Sequence, residues 1–449
     1  MDKKAKHKLL RWFYPGIRVK RYIILSAFGV IMASVALAML VLLASMSLTK
    51  DYSGYLMSKL ALLIPPFISY ILAIVLFASG LFLVMLGVQK AINHLFGTMT
   101  KADLGEMADG LYKRRLLSQG PEIVVIGGGT GLSALLRGLK NYTSNLTAIV
   151  TAADDGGSSG RIRREWGLVP PGDIRNCLLA LADTEPLMNA LFDYRFTGGA
   201  GLEGHNFGNL FILAMSEVTG DFETAVQEFS RVLKVRGQVM ASTLNNINLK
   251  AIYENGTEVL GESAISSQGE KIHKVELEPP NCKPNPSAIK AIIKADLIVL
   301  GPGSLYTSIM PNLLVPGIVE AIERNNVPVI YVVNVMTEPG ETTGYSASDH
   351  LKTILRHIEP QRLIDYVLVN IGDFDRTILE RYERQGAAPV AVDNKKLEAF
   401  GVKVIAKELA NSNDLARHDP GKLASAIMSV LANVTFKQRP RQVKQLKRR

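Results

Sequence analysis

Between Ala152 and Asn176 the chain reads AADDGGSSGRIRREWGLVPPGDIRN. Two adjacent carboxylates, Asp154 and Asp155, precede a Gly/Ser turn, a run of arginines, a Pro-Pro-Gly turn and a third carboxylate, Asp173. A hydrophobic core has no use for such a run. An acid just past a strand end can accept ribose hydroxyls. Alternatively, Asp155 can share a hydrated Mg2+ with Asp173, because hard oxygen ligands suit that ion. Gly156 to Gly160 can fold into a nest of backbone N–H groups for an anion, with the hydroxyls of Ser158 and Ser159 as further donors. Arg161, Arg163 and Arg164 follow on a helical turn, at least one of them on a solvated face. Asp173 opens the helix that carries Arg175 and Asn176, where ordinary N-capping is its other role.

Other loops follow the same pattern. The apolar run Ile123 to Ile126 ends in Gly127, Gly128, Gly129, Thr130 and Gly131, and an apolar-periodic helix follows. Glycine there lets a ligand approach the backbone, with the N–H groups and the helix N-terminus facing an anion. A dinucleotide fingerprint would need a third glycine at position 132, which is Leu132. A second apolar run, Leu297 to Leu300, ends in Gly301-Pro302-Gly303-Ser304, with Tyr306 and Thr307 at the start of the next helix. A third, VPVIYVV, ends in Asn334 and a polar loop holding Thr337 and Glu341. His205, Asn206 and Asn209 begin another helix. His205 and Asn209, four apart, share a face and aim at one spot, with a buried, satisfied histidine as the alternative.

These loops need a scaffold that brings them together. Short, wholly apolar runs alternating with helices predict a parallel sheet covered on both faces. In such sheets ligands sit at the carboxyl ends of the strands, so one shared cleft is expected there. The stretch from Asn248 to Pro280 predicts a small antiparallel insertion turning at Asn255-Gly256. DYVLVN and APVAVD predict later strands, and a last helix follows Arg417.

The chain has 449 residues and a formal charge of +10. Met1 to Pro121 holds 15 basic and 5 acidic side chains, and the last 13 residues hold 7 basic and none acidic. The part between has 29 basic against 36 acidic side chains. An acidic body with basic flanks excludes a nucleic-acid groove and fits anchors beside anionic lipid, with a solvated tail as the plain alternative at the C-terminus. Two cysteines, Cys177 and Cys282, make no disulfide framework and indicate a reducing compartment.

Tyr22 to Thr49 and Leu60 to Gln89 contain no charged residue. Each exceeds the roughly 20 residues that cross a bilayer core of about 30 Å. Eight Lys/Arg precede the first run, from Lys3 to Arg21, and only Lys50 and Lys59 lie between the runs. The positive-inside rule then puts both ends in the cytoplasm. The predicted organisation is a basic N-terminus (1–21), a transmembrane hairpin (22–49 and 60–89), a juxtamembrane linker (90–121), an α/β body (122–436) and a basic tail (437–449).

VVIGGGTGLSALLRGLK, TAADDGGSSGRIRREWGLVPPGDIRN, GHNFGN, VLGPGSLYTSIMPNLLVPGI and NVMTEPGETTGYSASDHL closely resemble the bacterial gluconeogenesis factor family, within the group that includes the 2-phospho-L-lactate transferases. The resemblance covers Glu122 to Ala432, outside the hairpin, which typical members lack. It implies a Rossmann-like three-layer α/β/α fold and binding of UDP-sugars, notably UDP-N-acetylglucosamine. It further implies a regulatory role in carbon flux into envelope precursors and in cell shape on gluconeogenic carbon, contact with glucosamine-6-phosphate synthase, and a homo-oligomer. Residues like Asp155 and Asp173 hold a metal beside phosphate in the transferase relatives. Tyr382 and Arg417 are, by resemblance, nucleotide-sugar contacts: a tyrosine can stack on uracil and an arginine can clamp a diphosphate. Two other readings stand beside the UDP-sugar sensor: a Mg2+-dependent phosphoryl or phospholactyl transferase, and a nicotinamide oxidoreductase, which the displaced glycine disfavours.

Overall fold

The computed structural model describes residues 20–48, 66–95, 110, 112, 114–183, 186–358, 363–411 and 416–446. They form two units, Met1–Tyr112 and Lys113–Arg449.

In the first unit the two uncharged runs become helices α1 (Lys20–Leu48) and α2 (Pro66–Leu95). Pro66 opens α2, where its fixed φ suits the first turn and its missing N–H costs nothing. Each helix contains 25 residues long and apolar enough to cross a bilayer, Arg21–Ser45 and Phe67–Ala91. Their outer faces are apolar too: Ile24 and Phe67 are 67% and 73% exposed. Helices hydrophobic all round belong in a membrane or a large core. Small residues bring the backbones together, because a Cβ on Gly80 would lie 2.7 Å from the Ala33 nitrogen and 2.8 Å from the Gly29 oxygen. The ten residues between the runs (50–59) lie outside the described residues, as does half of the linker.

The second unit is built on seven parallel strands: β1 (Ile123–Gly127), β2 (Leu146–Val150), β3 (Gln238–Ala241), β7 (Leu297–Leu300), β8 (Val329–Val332), β9 (Tyr366–Asn370) and β10 (Lys403–Lys407). The middle strands are buried along their whole length, as a sheet covered on both faces requires. Their order is β10-β9-β8-β7-β1-β2-β3. The chain therefore winds outward from β1 in one direction, returns through the insertion, and winds outward from β7 in the other. The reversal falls between β1 and β7, paired in register from Ile123↔Leu297 to Ile126↔Leu300. In a doubly wound sheet the crevice opens at that point.

The expected insertion is a three-stranded antiparallel sheet of β4 (Asn248–Tyr253), β5 (Glu258–Leu260) and β6 (Ile272–Glu278). APVAVD forms no strand. Pro389 has no N–H for a ladder, and the segment instead lies along the loop after β8, with Val390 N–H on Val335 O at 3.0 Å and Thr337 N–H on Ala388 O at 2.7 Å. The edge strands are β10 and β3, and the pattern of apolar runs singled out neither. The last helix runs from Pro420 to Leu446, so the basic tail is helical that far.

Gly80→Leu is expected to force α1 and α2 apart, since overpacking of a close contact costs about 1–3 kcal/mol. Spin-label distances between the helices in detergent would report the widening.

Candidate functional site

The geometry starts from contacts between two glycine bends. α3 (Gly129–Leu139) begins directly after β1. A Cβ on Gly131 would lie 3.0 Å from the Pro302 oxygen, and one on Gly303 3.1 Å from the Gly128 oxygen. The loops after β1 and β7 thus touch backbone to backbone, so closely that a side chain at either position would have to push the facing carbonyl back by a few tenths of an ångström. Gly129 has φ +67°, a left-handed conformation that disfavours any side chain, although a Cβ there would meet nothing closer than Ser308 Oγ at 3.9 Å. At Gly128 the limit is space, since a Cβ would sit 2.6 Å from Asp173 Oδ2. Gly127 and Gly301 pack beneath, 3.6 Å from Cβ position to Cα.

These bends form one wall of a cleft of about 290 Å3. Gly128, Gly129, Thr130, Gly131, Gly303, Ser304, Asn334, Thr337, Tyr382 and Arg417 all line it. An adjoining lobe of about 440 Å3 shares Thr130, Ala134, Arg417 and His418 and adds Arg137 and Asn176. Asn334 fixes the second bend by accepting the Gly303 N–H at 3.2 Å, and Glu338 accepts from Ser304 Oγ at 2.9 Å. Thr337 Oγ1 accepts from the Ala388 N–H at 2.9 Å, so it holds the wall. Tyr382 packs against a small apolar cluster with Met336 and Ala416. Arg417 is exposed; beside it His418 is buried, and desolvation lowers its pKa to about 4, so it is neutral.

The Asp-Gly-Ser stretch does not line this cleft. Asp155 Oδ1 accepts the Ser263 N–H at 2.9 Å and so caps helix Glu262–Ser267 of the insertion. Asp154 Oδ1 accepts the Gly156 N–H at 2.9 Å in a local turn. Asp173 Oδ2 accepts the Gly129 N–H at 2.8 Å, which caps α3 from behind the first bend. Ser158 Oγ lies 3.1 Å from His205 Nδ1 and accepts the Asn206 N–H at 3.2 Å. Arg175 donates to Asn209 Oδ1 at 2.9 Å and to Asn176 Oδ1 at 2.6 Å, and Asn209 lies 3.5 Å from Ser159 Oγ. Asn206 caps the helix Phe207–Thr219. These groups make a buried polar network that fixes three helix starts. Arg163 is also structural, donating to Ala153 O, Asn246 Oδ1 and Asn248 Oδ1. Tyr306 and Thr307 turn away from the cleft as well. Tyr306 Oη meets Tyr345 Oη at 2.8 Å, and Thr307 Oγ1 donates to Glu341 Oε1 at 3.0 Å.

Behind the bends lies a cluster of buried carboxylates, of which only Glu338 reaches the cleft's lining. Burial, then Asp154, pushes Asp173 up to about 6. Burial, then Asp154, Asp173, Asp155 and Glu341, pushes Glu262 up to about 8. Burial raises Asp154, Glu338 and Glu341 too. Among the described residues no three His, Cys, Asp or Glu side chains gather as metal ligands. Asp155 and Asp173 each have one oxygen accepting a backbone N–H, from Ser263 and Gly129. Mg2+ commonly binds through one carboxylate and a ligand's phosphates, and Asp173 behind the first bend suits that arrangement.

Ser308, Glu338, Gln385 and His418 line the cleft without having been expected there. Glu338 stands in the same polar loop as Glu341, and His418 follows Arg417, so both had a neighbour that pointed to them. Ser308 and Gln385 carry no such signal.

Interlocked glycine bends at the reversal point of a parallel sheet, faced by an arginine and a tyrosine, define a doubly wound α/β protein with a ligand cleft at its carboxyl edge. A family model described as 2-phospho-L-lactate transferase CofD matches residues 123–410, and the chain belongs to that family. It is 49% identical over 316 residues to the Bacillus subtilis gluconeogenesis factor, an alignment covering 70% of this chain and 99% of that one. A Nostoc relative is 44% identical over 430 residues, 95% of this chain and 94% of its own. Similarity therefore extends into the N-terminal unit in some relatives and stops at the body in others. A crystal structure of a Bacillus halodurans protein superposes with a TM-score of 0.67 at 48% identity, covering 69% of this chain and all of that one.

Glu262→Gln is expected to stabilise the fold at pH 8 and to have no effect below about pH 4. Raising the folded pKa from 4.5 to about 8 means the native state holds the proton more tightly than the unfolded chain. That contribution is fully present below 4.5 and is lost as pH rises through 8. Thermal melts of both proteins across this range check the sign.

Proposed function

We propose that the protein is a membrane-tethered cytosolic sensor that binds a UDP-sugar, UDP-N-acetylglucosamine in the first instance, without turning it over. The reading rests above all on the two interlocked backbone bends, which leave room at a helix N-terminus for a pyrophosphate beside the amides that Asp173 and Asn334 do not already take from Gly129 and Gly303. Arg417, on the cleft's lining, would clamp that group with its planar fork. Tyr382 offers a ring for the uracil. The adjoining lobe gives the sugar room, with Asn176 and Arg137 as polar partners. Glu338 is the one carboxylate on the cleft's lining among the described residues, so an anion would be held from the side of the glycine bends and Arg417.

The name gluconeogenesis factor borne by the relatives favours a role in gluconeogenic growth, and the proposed role extends to routing carbon into envelope precursors and to cell shape. Glucosamine-6-phosphate synthase is the proposed partner, and a homo-oligomer the proposed assembly. The helical hairpin, with its basic flanks, would hold the body at the inner face of the membrane. A Mg2+-dependent transferase is the second reading. It is favoured by the family description and by Asp173, whose raised pKa makes it a ready partner for a cation beside phosphate.

Calorimetric titration of the full chain in detergent with UDP-N-acetylglucosamine, UDP-glucose, GDP and NAD tests the first reading. Saturable binding of a UDP-sugar is expected, and tighter binding of NAD than of either UDP-sugar would overturn it. Arg417→Ala should weaken UDP-sugar binding at least about tenfold, the loss of one charge-assisted contact. Asp173→Asn separates the two readings. In a sensor, removing that negative charge leaves or tightens the affinity in metal-free buffer. In a transferase, Mg2+-dependent turnover of a diphosphate-linked donor collapses.

A further inference from the structure

The segment Leu305–Ile309 is a π-helical turn, and it serves two cavities. Ser308 lines the cleft, whereas Tyr306 lines a second cavity of about 430 Å3. Lys271 and His273 of the insertion form one wall of this cavity, and Lys352 and Arg356 of the helix Ala347–His357 form another. Its volume falls in the usual range for small-molecule sites.

The charges there do not cancel. Asp349 caps its own helix, accepting the Ser346 N–H at 2.9 Å and the Ser346 hydroxyl at 2.8 Å. Glu254 pairs with Lys271 at 3.1 Å. Lys352 and Arg356, one turn apart on the same helix face, have no carboxylate within 4 Å among the described residues. Arg356 Nη2 lies 3.2 Å from His273 Nδ1. His357 is held as the neutral form: its Nδ1 donates to Thr353 O at 2.7 Å, and its Nε2 accepts the Val275 N–H at 3.2 Å. Lys271, Lys352 and Arg356 stand against Glu254 and Asp349, so the cavity keeps one net positive charge, and neither Lys352 nor Arg356 is directly paired among the described residues, on a body that is otherwise acidic. Arginine's fork and a lysine together suit a dianionic phosphate better than a single carboxylate.

The turn is pinned from both sides. Tyr306 Oη meets Tyr345 Oη, Thr307 holds Glu341, and Ser304 just before it holds Glu338. Short π segments recur at functional sites, and this one links the second cavity to the Gly301–Ser304 bend.

We propose that the second cavity binds a phosphate monoester of a small polar molecule, of hexose phosphate size, and that its occupancy is transmitted through the π-turn to the bend at the cleft. The site does not depend on which ligand the cleft takes. The test uses the full chain in detergent, titrated calorimetrically with glucose 6-phosphate, inorganic phosphate and glucose. A Lys352→Gln/Arg356→Gln variant is compared; both side chains are exposed, so its fold is expected to stand. Glucose 6-phosphate should bind saturably, at least about tenfold more weakly in the variant, and glucose should not bind. Stronger binding of inorganic phosphate than of glucose 6-phosphate would reduce the site to a phosphate subsite and overturn the assigned class. No binding by the wild type, or equal binding by the variant, would overturn the site. Hydrogen exchange of residues 301–309 should slow when glucose 6-phosphate saturates the wild type. Binding with no change in that segment would overturn the coupling.

Discussion

The rest of the molecule depends on a backbone-to-backbone contact between two loops. The bends after β1 and β7 approach to a distance at which a methyl group on Gly131 or Gly303 would touch the opposite carbonyl. Such an approach fixes the spacing of the two central strands at their carboxyl ends and leaves amide groups facing outward. It also explains why the cleft sits where it does. The chain winds away from this point in both directions, so no covering helix crosses directly over it.

Electrostatics shape what this arrangement can hold. Asp154, Asp173, Glu262 and Glu341 crowd one side, and burial raises their pKa values together with mutual repulsion. A cluster of that kind repels an anion and attracts protons or cations. The cleft's own lining carries Glu338 and Arg417, so it presents both signs of charge.

The two units of the chain obey different solvents. The body buries its apolar strands between helices, whereas α1 and α2 leave large apolar side chains exposed and meet each other through glycine. Relatives that align with the body alone, beside others that align through nearly the whole chain, indicate that the body's fold does not need the hairpin.

Local patterns fixed much of the architecture. Apolar runs of four or five residues gave the central strands, and glycines straight after them gave the bends, because both signals act between near neighbours in the chain. The two uncharged runs gave the helices of the first unit for the same reason. The chain alone could not tell that Asp155 caps a helix 108 residues further on, or that His205 and Asn209 close a network with Ser158, Ser159 and Arg175. A carboxylate or imidazole has the same appearance in sequence whether its partner is a backbone amide or a ligand. Tyr382 and Arg417 came to notice through resemblance to a family, since nothing in their immediate surroundings marks them. Only the folded sheet, by returning the chain to the same edge after each crossover, decided that they face the glycine bends. Chain proximity determines elements, whereas burial and charge across distant segments determine which polar groups are left free to do chemistry.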